Sequence, residues 1–287
     1  QVSLFNILQE GDIQIRGFKL RMPLDILFVF TANPEDYTNR GSIVTPLKDR
    51  IESQILTHYP KTIETSLAIT EQEANILPAQ KDKVEVSDLI KRLIEQVSFE
   101  ARTNEFVDKK SGVSARLTIA AYEAAVSSAE RRAIIHNQAN TQVWISDLSG
   151  IIPAITGKIE LVYEGEQEGP YEVALNLLNK SIRTVFVTYF PNPDDVKKRK
   201  SPKKSAANAP EQKQPENPYA SIAKWFDAGN HLDLFLDMKD EDKIIELYKV
   251  DGLFGIVKKH FPQAGEKQSA LLMEFVLHGA QHREIGQ

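Results

Sequence analysis

Three side chains stand where phosphate chemistry would need them. Asn33 follows the apolar run Ile26-Leu27-Phe28-Val29-Phe30 through Thr31-Ala32 and precedes Pro34. The run is too short for a helix, and its β-branched and aromatic content suits a strand buried on both faces, as in a parallel sheet. Polar groups would then first appear at the strand's C-terminal end, where ligands sit in open α/β sheets. Arg50 closes Pro46-Leu47-Lys48-Asp49-Arg50, which reads as a short helical turn bearing a cation. A strand-tip amide followed by an arginine on a nearby turn looks like the rear half of a nucleotide-hydrolysis site. Arg116 follows the loop Lys109-Lys110-Ser111-Gly112 and opens a long helical pattern running from about Ser114 to Asn137. A helix N-terminus favours phosphate, and a planar guanidinium adds bidentate bonds. The competing reading of Arg116 is a first-turn arginine exposed to water.

Taken together, these residues resemble the MoxR and magnesium-chelatase branch of the AAA+ ATPases. In that family a strand ending in a TxNP-like motif carries the sensor-1 asparagine, a place that Asn33 in Thr31-Ala32-Asn33-Pro34 would fill. The DR element carries the arginine finger, which the resemblance assigns to Arg50; Lys48 and Arg40 lie close by, but only Arg50 sits in the DR pair. The arginine that opens the lid helix is sensor 2, which Arg116 matches by position. The resemblance covers about the first two-thirds of the chain. No G-x-x-x-x-G-K-[ST] phosphate loop occurs in the 287 residues, so the chain reads as the C-terminal part of such an ATPase, following both Walker motifs.

The resemblance implies a fold: the α/β end of a P-loop AAA+ core, then an all-α lid and a small C-terminal helical domain, predominantly helical overall. It also implies ATP and Mg2+, both needing the upstream motifs, and a homo-oligomeric ring, commonly a hexamer, because the finger serves a neighbouring subunit. A protein substrate or adaptor is expected as partner, met through the lid extension or the C-terminal domain. The expected activity is chaperone-like remodelling of a partner or metal insertion, with no turnover by this chain alone. The reading from a different class is a non-catalytic AAA+ remnant serving as an interaction platform.

The elements that must position these residues follow from pattern. Val2 to Gln9 reads as a helix end stopped by Gly11. Asp12 to Arg16 and Phe18 to Met22 alternate about Gly17, a hairpin pattern. Its Arg16, Lys19 and Arg21 would either contact a substrate or form a solvated face. Ser53 to Tyr59 reads as the last strand of the core sheet. Helices are expected from Pro60 to about Leu77, from Ser87 as N-cap to about Thr103, and over Tyr171 to Phe190. Leu148 to Val162 reads as a helix interrupted by Pro153 and Gly157. Glu164 to Gly169 reads as a solvated acidic turn rather than a Mg2+ site. The expected organisation is therefore core over 1–60, lid over 61–190, basic linker over 191–218 and accessory domain over 219–287.

Composition narrows the alternatives. A hydrophobic content of 41% over 287 residues supports more than one core. The net charge of −5 gives no global case for nucleic acid. The absence of cysteine excludes disulfides and thiolate-held metal, and fits a cytoplasmic location. Glu274, His278 and His282 are spaced i, i+4, i+8, but without a fourth ligand they read as structural. No Ser-His-Asp, Cys-His or paired-carboxylate arrangement stands out. Because Pro191 to Pro218 mixes Lys197, Lys198, Arg199, Lys200, Lys203 and Lys204 with Pro, Ala, Asn and Gln and has no apolar period, limited proteolysis should cut there first. Prompt cleavage between Ser87 and Asn137, read by mass spectrometry, would contradict that organisation.

Overall fold

The computed structural model describes residue 7 and residues 11–21, 27–31, 49, 51–193 and 217–281. They fall into two compact units, residues 1–59 and 60–287. The second unit is predominantly helical.

In the first unit, β1 (Asp12–Ile15) and β2 (Phe18–Arg21) form the antiparallel hairpin expected from the alternation. Ile13 faces Leu20 and Ile15 faces Phe18 across the ladder. Arg16 and Gly17 turn the chain at φ 48° and 88°. Two successive left-handed residues match the twist of a two-residue hairpin loop, which is why glycine follows the arginine here. Leu27–Phe30 differs from expectation. It is not in a strand, and Leu27 is 87% exposed. Ser53 to Tyr59 likewise forms no strand, and Ile55 is 90% exposed. Among the described residues, strands form only two two-stranded sheets. An apolar run becomes a buried strand only where neighbours supply backbone partners and covering surfaces, and the described residues offer these runs neither.

The second unit begins with α1 (Ile63–Glu73), α2 (Pro78–Lys83) and the short β3 (Val84–Glu85). Ser87 caps α3 (Asp88–Thr103), its Oγ accepting from Ile90 N at 3.3 Å. Leu89, Ile90, Leu93, Ile94 and Val97 recur at helical spacing and are all buried, so one face of α3 is core. Next come α4 (Arg116–Ile135) and β4 (Thr141–Gln142), the latter parallel to β3. A 3-10 helix (Ser146–Ile151) leads into α5 (Ile152–Thr156). Glu164 to Gly169, expected as an acidic turn, is largely the short helix α6 (Tyr163–Glu168), which Gly169 ends at φ 102°. Pro170 then opens α7 (Pro170–Tyr189), the favoured first-turn place for proline. α7 packs along α3 and forms the centre of the unit.

The sequence pattern predicts a separate accessory domain over residues 219–287. Their described helices, α8 (Ala220–Asp227), α9 (Asp240–Tyr248), α10 (Leu253–His260) and α11 (Glu266–Gln281), share one buried core with α3, α4, α5 and α7. Phe186 of α7 and Phe190, which caps its C-terminus, meet Phe275 of α11 at ring separations of 5.5 and 6.3 Å. The Tyr219 hydroxyl donates to Pro191 O at 2.6 Å. A Cβ at Gly279 would lie 2.2 Å from Phe186, so α11 can approach α7 this closely only with glycine there.

Glu95 is a buried carboxylate in the interface between α1 and α3. It accepts from Ser66 Oγ at 2.5 Å and Thr70 Oγ1 at 2.6 Å. Burial pushes its pKa up, against the lowering effect of those two hydroxyls. A carboxylate whose folded pKa is raised binds its proton more tightly in the folded state, so its contribution to stability falls as pH rises from the ordinary glutamate range through that raised value. Glu95→Gln should therefore raise the midpoint of urea unfolding at neutral pH and flatten its decline across that window. An unchanged pH profile would show that Glu95 does not drive it.

Candidate functional site

Of the three residues singled out in the sequence, Asn33 and Arg50 lie outside the described residues, so only Arg116 has a described setting. It is the first residue of α4 and is exposed. Its side chain makes no ion pair or hydrogen bond with any described residue, while its backbone N donates to Ser114 Oγ at 3.3 Å. No acidic side chain occupies the first turn of α4. A cation at a helix N-terminus opposes the macrodipole and an acid there would offset it; here the guanidinium and the N-terminal amides both favour an anion. Lys109 and Lys110 are exposed in the preceding loop. That loop is braced at its base: Asp108 accepts from Lys110 N at 2.8 Å, Gly112 N donates to Asp108 O at 3.2 Å, and Asp108 N donates to Glu160 O at 2.9 Å. Gly112 turns at φ 73°.

The far end of α4 enters a buried ionic network that the sequence did not reveal. Arg132 donates to Asp147 through Nε at 3.3 Å and Nη2 at 3.0 Å, to Gln142 O at 2.9 Å, and to Asp240 through Nη1. Asp240 also accepts from Trp144 Nε1 at 2.9 Å and Thr141 Oγ1 at 2.9 Å. Burial pushes the Asp147 carboxyl up, against the lowering effect of Arg132. Beside it, Lys243 and Glu274 are both fully buried, with Nζ 3.4 Å from Oε1. Lys243 also donates to Ser146 Oγ at 2.5 Å and lies 5.0 Å from the centre of the Trp144 ring. Glu274 accepts from Ile145 N at 2.8 Å and Ser146 N at 3.3 Å. Burial alone would raise its pKa, but Lys243, His278 and these donors outweigh it and hold the carboxyl below the ordinary range.

The Glu274, His278 and His282 spacing therefore has a structural use at Glu274, whose oxygens are taken by Lys243 and two backbone amides. His282 lies outside the described residues. No group of three or more metal-ligating side chains occurs among the described residues. The only signal of the network in sequence was a charge set among apolar neighbours, as in Met273-Glu274-Phe275 or Ile145-Ser146-Asp147-Leu148. No family model, curated protein or solved structure matches the chain, so the site is read from its own chemistry.

Removing one member of a buried pair leaves the other charge uncompensated, at a cost of about 3–5 kcal/mol. Lys243→Met should lose stability on that scale in chemical denaturation. Arg116→Ala, at an exposed position, should leave the unfolding midpoint where it is. Comparable losses from the two substitutions would contradict this division between a buried frame and an exposed cation.

Proposed function

We propose that the chain is the sensor and lid portion of a MoxR or magnesium-chelatase-like AAA+ ATPase, coupling ATP hydrolysis in a ring to remodelling of a partner protein or to metal insertion. The observation that carries this reading is Arg116: an exposed guanidinium, unpaired among the described residues, on the first turn of a long helix with no neighbouring acid. Thr31-Ala32-Asn33-Pro34 and the DR pair at Asp49-Arg50 support it from the sequence. A chain whose lid served only as a docking platform has no physical need of all three.

Phosphoryl transfer asks the protein mainly for positioning and charge stabilisation. Asn33 would orient the attacking water or sense the γ-phosphate through its amide. Arg50 would project into a neighbouring subunit's site and offset charge in the transition state, a contribution on the order of 10³ to 10⁵ in rate for such fingers. Arg116 would bind the γ-phosphate from the lid. Since α4 also carries Arg132, whose partners Asp147 and Asp240 lie in the 3-10 helix and α9, a pull on Arg116 would reach the C-terminal helices. Mg2+ would bridge phosphate oxygens and be held chiefly by upstream residues.

The deciding experiment measures ATP turnover for this chain alone and joined to an upstream segment carrying a phosphate loop. The expected result is silence alone and turnover when completed. In the completed ring, Arg116→Ala should weaken ATP binding more than ADP binding. Silence in both forms would instead favour the interaction platform, and equal effects on ATP and ADP would remove Arg116 from the γ-phosphate.

A further inference from the structure

A cleft of about 460 Å³ opens where β3 and β4 meet the last turn of α7 and the first turns of α11, and the proposed hydrolysis makes no use of it. Two rings line it, Tyr189 and Phe261, 5.7 Å apart and tilted by 31°. Each is braced by a further ring. Tyr189 meets Phe275 edge-on at 5.8 Å, and Phe261 meets Phe190 edge-on at 5.6 Å. These contacts hold both rings in place, yet each is only half-buried and keeps surface for a ligand.

The parallel pairing of β3 with β4 sets the polar lining. Glu85 and Gln142 stand in register across it, and in-register residues on neighbouring strands share a face at a strand spacing of about 5 Å. Glu85 is exposed, and its carboxylate makes no ion pair or hydrogen bond with a described residue. Gln142 is only 4% exposed. Its Nε2 donates to Lys267 O at 3.0 Å, which fixes the amide and leaves Oε1 as an acceptor that no described donor meets. That oxygen is not sealed from solvent, so a buried side chain turns an unmet acceptor to the cleft, where water or a ligand must supply the donor. Asp88 also lines the cleft, but as the first residue of α3 it answers the positive end of that helix. Lys267, which is exposed, is the one cation among the described lining residues. Arg92, which acts on Tyr189 from nearby, is paired with Glu64 at 3.2 Å.

We infer that this cleft binds a guanidinium group, its N–H fork shared between the Glu85 carboxylate and Gln142 Oε1 and its plane against the Tyr189 and Phe261 rings. Acceptors beside rings suit that group, which donates within its plane, stacks across it and is more weakly hydrated than an ammonium. An arginine side chain and a free alkylguanidine share this chemistry. The site is independent of the ATPase reading and stands or falls separately.

The test is an amide NMR titration of the full chain, at constant ionic strength, with butylguanidinium, butylammonium and the neutral, near-isosteric butylurea. The expected result is saturable shifts of the Gln142 side-chain amide and the Glu85 backbone amide, with butylguanidinium the tightest of the three. Glu85→Gln should weaken it about fivefold, the upper range for an exposed ion pair. Lys267→Met should tighten it by removing a like charge, and Glu166→Gln, at an exposed carboxylate outside the cleft, should leave affinity unchanged. N-acetylarginine methylamide binding more tightly than butylguanidinium would assign a peptide arginine, and weaker binding a free guanidine. No saturable shift, butylammonium or butylurea binding as tightly, or equal losses from Glu85→Gln and Glu166→Gln would overturn the proposal.

Discussion

The buried pair of Lys243 and Glu274 is the constraint on which the helical unit depends. Neither side chain reaches solvent, and desolvating two charges costs several kcal/mol per ion unless every donor and acceptor is met. Glu274 meets that requirement with one ammonium and the amides of Ile145 and Ser146. Lys243 meets it with Glu274, Ser146 Oγ and the face of Trp144. The pair therefore fixes three things at once: the depth of α9, the register of α11, and the path of the chain into the 3-10 helix. Its effect is as much against alternatives as for the native state, since any slip of α11 would strand a charge in apolar surroundings.

Arg132 repeats the logic one layer away. Its guanidinium joins α4 to the segment after β4 and to α9, with Asp147 and Asp240 as counter-charges. Fork geometry suits this role because several planar N–H groups can be satisfied together, which an ammonium could not reproduce. Under the proposed function, α4 then has two different ends. Arg116 faces water and is available to an anion, whereas Arg132 is immobilised by buried partners. A helix fastened at one end and exposed at the other suits transmission of a ligand's presence into packed helices, because cores resist continuous deformation.

A second cleft, lined by Leu175, Leu178 and Ile182 of α7, and the ionic frame are neighbours rather than separate features. Ser146 belongs to both: it lines that cleft, its Oγ accepts from Lys243, and its backbone N and its hydroxyl both serve Glu274.

Much of the helical unit was legible in the sequence, because its signals are local. Ser87 as a cap and the apolar period of α3 act within a few residues, as does the turn at Gly17 in the hairpin of the first unit, and short-range sterics and hydrogen bonds decide them. The sequence also singled out Arg116 at a helix start, and that is where α4 begins. Tertiary structure alone decided which charges meet. Arg132 pairs with Asp240 and Lys243 with Glu274 only after distant segments pack, and no period in the sequence encodes such a meeting. It also decided the fate of the apolar runs. Leu27–Phe30 and Ile55-Leu56 carry the composition of buried strands yet stand exposed, because hydrophobic content states a need for burial and only neighbouring surface can meet it.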